Sequence, residues 1–322
     1  VRNSGMLLPG LLAGSLLIAV LAVGTITPYV IKLSHLRNRI GFLCNEAHLA
    51  LVYQPIFDLT NMRLVGCEVL ARLKEGNKTW RPDEIIPAIQ QVGLEYEFDQ
   101  AITRKAIQEL SAHLPACEGN FEVALNYFPE SMRPGKLVPV LTRALQASGR
   151  HDLKICVEIT EHSFSNEVIA EVAALRAQGF LIAVDDFGTG YSNLRTVTQV
   201  SPDILKIDRS FVFELEEAGL RSNLIPEIVN IARAVDAQTI AEGIETLEQA
   251  RLLATAGVRY GQGWAEPAIG NVKPVPQTPG PQTPGQQRPT PKVREYVSLP
   301  KTSRCVKGGA VSAKPRAGLG VE

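Results

Sequence analysis

Neither sign of charge is in excess: 33 basic residues meet 33 acidic ones and the formal net charge is zero. No global field therefore draws this chain to a nucleic acid polymer, so any phosphate recognition must come from a local site. Cysteine is scarce. Cys44, Cys67, Cys117, Cys156 and Cys305 are scattered, odd in number and never at CxxC spacing. That excludes a disulfide framework and a thiolate zinc site, and reads as reduced thiols in a cytosolic domain. His113, His151 and His162 are isolated, with no spacing for a shared metal. The two tryptophans, Trp80 and Trp264, are too few for a base-stacking platform.

The chain is richest in one residue class at its ends. Met6 to Ile31 carries no charged residue. A helix needs roughly 20 apolar residues to cross a bilayer, whereas a secretory signal has an apolar region of only about 7–15. Residues 1–40 are therefore expected to form a transmembrane helix and a juxtamembrane linker. Lys32, Arg37 and Arg39 follow the span and only Arg2 precedes it, so everything after Ile31 is expected in the cytoplasm. The chain opens on Val almost directly at the span, which is expected of a fragment or of a product that lost an upstream part. At the other end, residues 267–322 are dominated by Pro and Gly, and QTPG occurs twice. Such a segment buries too little surface to offset its ordering entropy and is expected to be disordered, a linker or tail.

Residues 41–266 read as the folded part. Eight runs have strand character: ALVYQPIFDL, RLVGCEVLAR, FEVALNY, KICVEIT, LIAVDD, ILKID, TIAEGIE and YGQGW. Helical patterns separate most of them, as in EFDQAITRKAIQELSAHL, where Phe98, Ile102 and Ala106 are expected in the core. Strand and helix in alternation imply a parallel sheet, and eight strands fit a (β/α)8 barrel, an α/β fold. DLTNMR is too short for a crossover helix, so the first two strands are expected to form an antiparallel hairpin.

Successive strands end in polar residues that an apolar strand does not need. These are Glu68, Asn126, Glu158 (with Glu161 three residues on), the pair Asp185 and Asp186, Lys206, Glu242 and Gln262. One carboxylate at a strand end is usually a helix cap or a surface charge. A series of such residues on seven successive strands is harder to account for in that way. In a barrel the C-terminal strand ends converge on one mouth. Five carboxylates meeting there would repel and raise each other's pKa. Divalent cations remove the conflict, and all-oxygen ligation selects Mg2+ or Mn2+ over zinc. Two ions about 3.5–4 Å apart suit phosphoester hydrolysis, with the first Asp bridging them and the second holding one. Gly188 and Gly190 let the following loop turn sharply.

With these residues in view, the chain resembles the EAL domains, the cyclic di-GMP phosphodiesterases. EVLAR, Glu68 to Arg72, is similar to the E-x-L-x-R signature, with Val in the middle of the naming triplet. QPIFDL resembles the family's first strand, DDFGTGYSNL its metal-binding strand and loop, and LKID and AEGIE its next landmarks in order. The resemblance covers about residues 41–264. The apolar segment ahead of it resembles the second span of the membrane-bound subfamily with a periplasmic CSS-motif sensor. That sensor and its first span are absent here.

The resemblance implies roles. Glu68, Asn126, Glu158 and Asp185 would ligate one ion; Asp185, Asp186 and Glu242 would serve the second, with Gln262 reaching it through water. Lys206 would hold or polarise the nucleophilic water. Arg72 would pair with a substrate phosphate, and Gln54 and Leu70 would touch the nucleotide. Glu245 would anchor the loop from Phe187 to Asn193, which links the ions to a homodimer contact through the barrel. An equal reading of Glu245 is a helix N-terminal charge ahead of TLEQARLLATAG.

The implied reaction is the metal-dependent hydrolysis of cyclic di-GMP to linear pGpG, at a bacterial inner membrane. The alternative is a non-catalytic cyclic di-GMP receptor. Such receptors usually lack several metal ligands and this chain keeps all of them, which favours the enzyme. A third reading is a truncated, inactive protein. The family continues after Q-G-aromatic with apolar residues, Pro and a closing helix, whereas Trp264 is followed here by AEP and the Pro-rich tail. A shifted reading frame near Ala265 or a lost last helix would expose an apolar flank, against a marginal stability of roughly 5–15 kcal/mol.

Overall fold

The computed structural model describes residues 4–45, 48–76, 78–116, 119–188, 194–215 and 224–263. The expected tail, Trp264 and most of the loop from Phe187 to Asn193 lie outside these residues.

Helix α1, Ser4–Leu43, is continuous. From Gly14 it is long and apolar enough to cross a membrane, and side chains such as Leu16 and Ile18 are exposed there. Its far end behaves differently. Ile40 and Leu43 are fully buried. Arg39 donates two bonds, 2.8 and 2.7 Å, to the Glu75 carboxylate. Arg37 donates to the Val92 carbonyl. The same helix thus runs from the apolar segment into the packing of the globular part, and the expected boundary at residue 40 falls inside it.

The strands are β1 (Leu49–Asp58), β2 (Arg63–Glu75), β3 (Lys78–Trp80), β4 (Phe121–Asn126), β5 (Leu153–Thr160), β6 (Leu181–Phe187), β7 (Ile204–Ile207), β8 (Gln238–Ile244) and β9 (Tyr260–Gly263). The sheet closes into a barrel because β1 pairs with both β2 and β9. Strand β1 is antiparallel to both neighbours, and the remaining barrel strands are parallel. The hairpin expectation holds for a local reason. Asp58 accepts the Thr60 amide at 2.8 Å and Met62 takes a positive φ of 55°, so the chain reverses within four residues, where no helix fits. Strand β3 was not expected. It extends the overhang of β2 beyond the barrel, pairing Trp80 with Leu73, and three residues are too few for a periodicity signal.

Among the described residues, eight further helices cover the barrel: α2 (Pro82–Val92), α3 (Glu95–His113), α4 (Leu137–Ser148), α5 (Asn166–Ala177), α6 (Leu194–Val200), α7 (Arg209–Phe213), α8 (Ile225–Ala234) and α9 (Leu247–Ala256). Side chains hold the start of several of them. Thr246 accepts the Gln249 amide at 3.0 Å while Gln249 accepts that of Thr246 at 3.2 Å, a reciprocal cap on α9. Glu171 of α5 is fully buried and accepts the amides of Gly135, Leu137 and Val138 at the start of α4.

Alternation divides the strand residues into two layers. Val123, Leu125, Val157 and Ile182 point outward against Ala106, Ile107, Leu141 and Leu175. Phe98 and Ile102 join them, as expected. Each buried Val, Leu, Ile or Phe among them contributes roughly 1.5–3 kcal/mol on leaving water. The inward layer is Ile56, Ala124, Cys156, Leu181, Ala183, Ile204, Ile240 and Tyr260.

Candidate metal centre at the barrel mouth

The inward layer places the site. Side chains two apart on a strand share a face. Two positions beyond Ala124, Cys156, Ala183, Ile204, Ile240 and Tyr260 stand Asn126, Glu158, Asp185, Lys206, Glu242 and Gln262. On β2, Glu68 is registered opposite Gln54 of the antiparallel β1. The polar strand ends of the sequence therefore meet above the apolar plug.

Lys206 is at their centre and only 1% exposed. Its Nζ lies 2.7 Å from Glu242 Oε1, 3.0 Å from Glu158 Oε1, 3.1 Å from Asp185 Oδ1 and 3.3 Å from Glu68 Oε2. Gln262 Nε2 donates to Glu68 Oε2 at 2.6 Å and to Glu242 Oε1 at 3.2 Å. Asn126 Nδ2 donates to Glu68 Oε1 at 2.7 Å. Asp185, Asp186 and Glu242 each offer a carboxylate oxygen within 4.8 Å of the others.

A regular strand would send Asp185 and Asp186 to opposite faces. Instead Asp186 takes a left-handed φ of 54°, and the β6–β7 register slips between Val184 and Phe187. This bulge re-aims Asp186 toward the mouth, at a backbone cost of order 1–3 kcal/mol.

Four carboxylates sharing one ammonium leave an excess of negative charge, and its effects differ from residue to residue. Burial pushes Glu158 well above the usual carboxylate range, Glu68 adds to this, and Lys206 opposes it. Glu242 is pushed up to about 8, chiefly by burial, with Lys206 pulling the other way. Glu68 differs. Burial disfavours its charge, but Lys206 and the amides of Gln262 and Asn126 prevail and hold it below the usual range. Asp186 is raised by burial, then by Asp185 and Asp208. Lys206 is raised despite burial, because the carboxylates, Glu158 first, favour its charge.

Two observations fit hard divalent cations. Glu158 Oε2 and Gln262 Oε1 are fully buried without a hydrogen-bond partner, although buried polar atoms are almost always paired. The available donors are also oxygens, which suits Mg2+ or Mn2+ and not thiolate-bound zinc.

The remaining expected residues fall in two places. Gln54, Leu70 and Arg72 share the face of the β1–β2 hairpin that carries Glu68, by their register and alternation, and all three are half-buried. Arg72 Nη1 donates to the Ala71 carbonyl at 2.9 Å. Glu245 is exposed, and its backbone amide donates to Gln249 Oε1 at 2.8 Å; the loop it would anchor lies largely outside the described residues. Asp208 lies outside the expected set; it caps α7 by accepting the Ser210 amide at 2.9 Å, and its charge reaches Asp186. Its place two residues after Lys206 was the available signal. The buried carboxyls of Asp99 and Glu122 also lie outside that set, because they follow no strand-end pattern.

Residues 36–267 match the family model of the EAL domain. Among curated proteins, the chain is 31% identical over 252 residues to the probable cyclic di-GMP phosphodiesterase PdeB of Escherichia coli (strain K12). That match covers 77% of this chain and 48% of PdeB, so the chain spans about half the length of this relative. Among solved structures, the EAL enzyme Bd1971 in its cAMP- and cyclic-di-GMP-bound form is similar with a TM-score of 0.68 at 28% identity, covering 78% of this chain and 72% of that one. The manganese and cyclic-di-GMP complex of Klebsiella pneumoniae BlrP1 is similar with a TM-score of 0.58 at 28% identity, covering 67% and 55%. With the mouth geometry and a family match over most of its length, the chain belongs to the EAL domain family.

Proposed function

We propose that this protein hydrolyses cyclic di-GMP to linear pGpG, with two divalent cations, Mg2+ or Mn2+, held at the barrel mouth. The observation that carries the reading is the surplus of buried acceptors around Lys206: four carboxylates to one ammonium, with Glu158 Oε2 and Gln262 Oε1 unpaired. The names of the related proteins support the substrate, and the manganese complex of BlrP1 supports the metal class.

Glu68, Asn126, Glu158 and Asp185 would hold one ion, and Asp185, Asp186 and Glu242 the other, with Gln262 beside it. When bound, the ions lower the pKa of the attacking water and neutralise charge on the phosphate. The chain's own groups do the rest. Lys206 stays charged at any working pH, by the direction of its shift, and orients the water through N–H bonds. Arg72 offers a planar fork to a phosphate oxygen pair. Gln54 and Leu70 flank the nucleotide from the same hairpin face. Helix α1 anchors the protein as a single-pass span of the bacterial inner membrane, with the barrel in the cytoplasm. The barrel pairs with a second copy, and Glu245 anchors the loop that links the ions to that contact.

The test is turnover of cyclic di-GMP by the full chain in detergent, with pGpG resolved by chromatography. Activity is expected with Mg2+ or Mn2+ and should rise from neutral toward alkaline pH. Ca2+ should bind without supporting turnover, because its longer, looser coordination spoils the spacing. Turnover that survives EDTA refutes the metal mechanism. Tight cyclic di-GMP binding with no turnover under any metal moves the protein to the receptor class.

A further inference from the structure

Asp99 is a buried carboxyl on α3, 2% exposed, that the proposed chemistry does not use. Its Oδ2 accepts the backbone amide of Phe128 at 3.0 Å. Phe128 lies two residues after Asn126, the β4 member of the mouth cluster. The chain between them is fixed from three further directions. The Tyr127 amide donates to the Glu158 carbonyl at 3.3 Å. The Tyr127 hydroxyl lies 2.7 Å from Thr103 Oγ1, and that hydroxyl donates to the Asp99 carbonyl at 2.7 Å. The Phe98 and Phe128 rings lie 6.3 Å apart between centroids. One face of α3, carrying Phe98, Asp99 and Thr103, therefore grips the two peptide units that leave Asn126.

We propose that Asp99 is a positioning residue for the metal centre, acting through the Phe128 amide to set the direction of Asn126 and, through the shared Tyr127–Glu158 bond, of Glu158. This inference rests on the reading of the mouth as a metal site. A parallel strand that ends at a barrel mouth leaves its next amides without a ladder partner, and a free amide there lets the strand end fray. Asn126 is exposed at the mouth, and its side chain is tied to Glu68 by one 2.7 Å bond. Its backbone must be held from behind, and α3 is the element behind it. A buried carboxyl is an expensive way to fill a core position unless its oxygens are used. Burial, and after it the neighbouring Glu95 and Glu130, push Asp99 well above the usual range, against the pull of the nearby Ser131 hydroxyl and the Phe128 amide. The group is thus suited to act as a neutral acceptor. An amide oxygen at the same place should serve as well, whereas a methyl should not.

The experiment is Mn2+ binding to the full chain in detergent, followed by electron paramagnetic resonance and independent of turnover. Residues that orient metal ligands typically cost about 10–100-fold in affinity when removed. Asp99→Ala is expected to weaken Mn2+ binding by about tenfold or more while circular dichroism stays native. Asp99→Asn should restore wild-type affinity to within about twofold. Thr103→Val, which removes the Tyr127 clamp and the bond to the Asp99 carbonyl but leaves the Asp99 carboxyl in place, should weaken binding to a lesser degree, and it keeps the proposal testable if Asp99→Ala does not fold. Wild-type Mn2+ affinity in a folded Asp99→Ala or in Thr103→Val overturns the proposal. So does an Asp99→Asn variant as weak as Asp99→Ala. A wild-type chain that binds no Mn2+ refutes the metal reading itself, a different failure read from a different sample.

Discussion

Glu122 should make the fold less stable as pH rises, and removing its charge should reverse this. It lies on β4 two positions below Ala124 in the inward-facing series and is registered opposite Gly66, where even a Cβ would come within 2.5 Å of the Glu122 carbonyl oxygen. Its Oε1 is fully buried with no hydrogen-bond partner. Burial pushes its pKa from 4.5 up to about 7, Asp203 adds to this, and Lys206 opposes it. For a carboxyl raised on folding, the native state binds more protons than the unfolded state between the two values, so stability falls as pH rises through that window. A shift of that size corresponds to about 3 kcal/mol, absent below pH 4.5 and complete above pH 7. Glu122→Gln keeps the shape and removes the titration. Its amide brings an unpaired donor that costs about 1 kcal/mol at every pH. The variant should therefore be slightly less stable than wild type near pH 4.5 and about 2 kcal/mol more stable at pH 8. The assay is the urea midpoint of both proteins from pH 4.5 to 8, in EDTA so that no metal contributes. Midpoints that differ by a constant amount across that range would refute the reasoning, because the effect would then be one of packing and not of ionisation.

Three further outcomes follow from the mouth. Lys206→Met in metal-free buffer should lose about 3–5 kcal/mol at pH 8; the loss should shrink toward pH 5, where Glu158 and Glu242, both already raised, take up protons, and equal losses at the two pH values in urea titrations would contradict the shared-cation picture. Asp185→Asn should abolish pGpG formation and leave native circular dichroism, since a charge and not a shape is removed; a collapsed spectrum would assign Asp185 a structural role. Arg72→Ala should raise KM by about 10–100-fold, the equivalent of one hydrogen bond to a charged group of about 1.5–3 kcal/mol, with kcat little changed; a fall in kcat at constant KM would place Arg72 in the transition state.

Much of the barrel was legible because its signals are local. Most barrel strands announce themselves by alternation or β-branched residues, and the short DLTNMR connection forces the hairpin whatever the rest of the chain does. The polar residues toward the strand ends, Glu68, Asn126, Glu158, Asp185, Lys206, Glu242 and Gln262, were visible for the same reason: alternation carries each strand's inward face on toward the mouth. Local pattern does not specify which of those ends touch. Gln262 donates to Glu68 across 194 positions of sequence, and Lys206 reaches Glu68 across 138; only closure of the sheet brings them within hydrogen-bond distance. The left-handed turn at Asp186 is likewise tertiary: Asp tolerates φ 54° better than most residues, but it is the register slip against β7 that places the turn at this point. The run of α1 into the barrel needed the buried Ile40 and Leu43 to meet α2 and β2. The grip of Asp99 on the chain behind Asn126 needed a helix and a strand end that sequence alone does not bring together. Sequence by itself determined the elements and the chemistry each one carries. The tertiary structure decided how those groups are paired, because pairing depends on distances that the chain acquires only when the barrel closes.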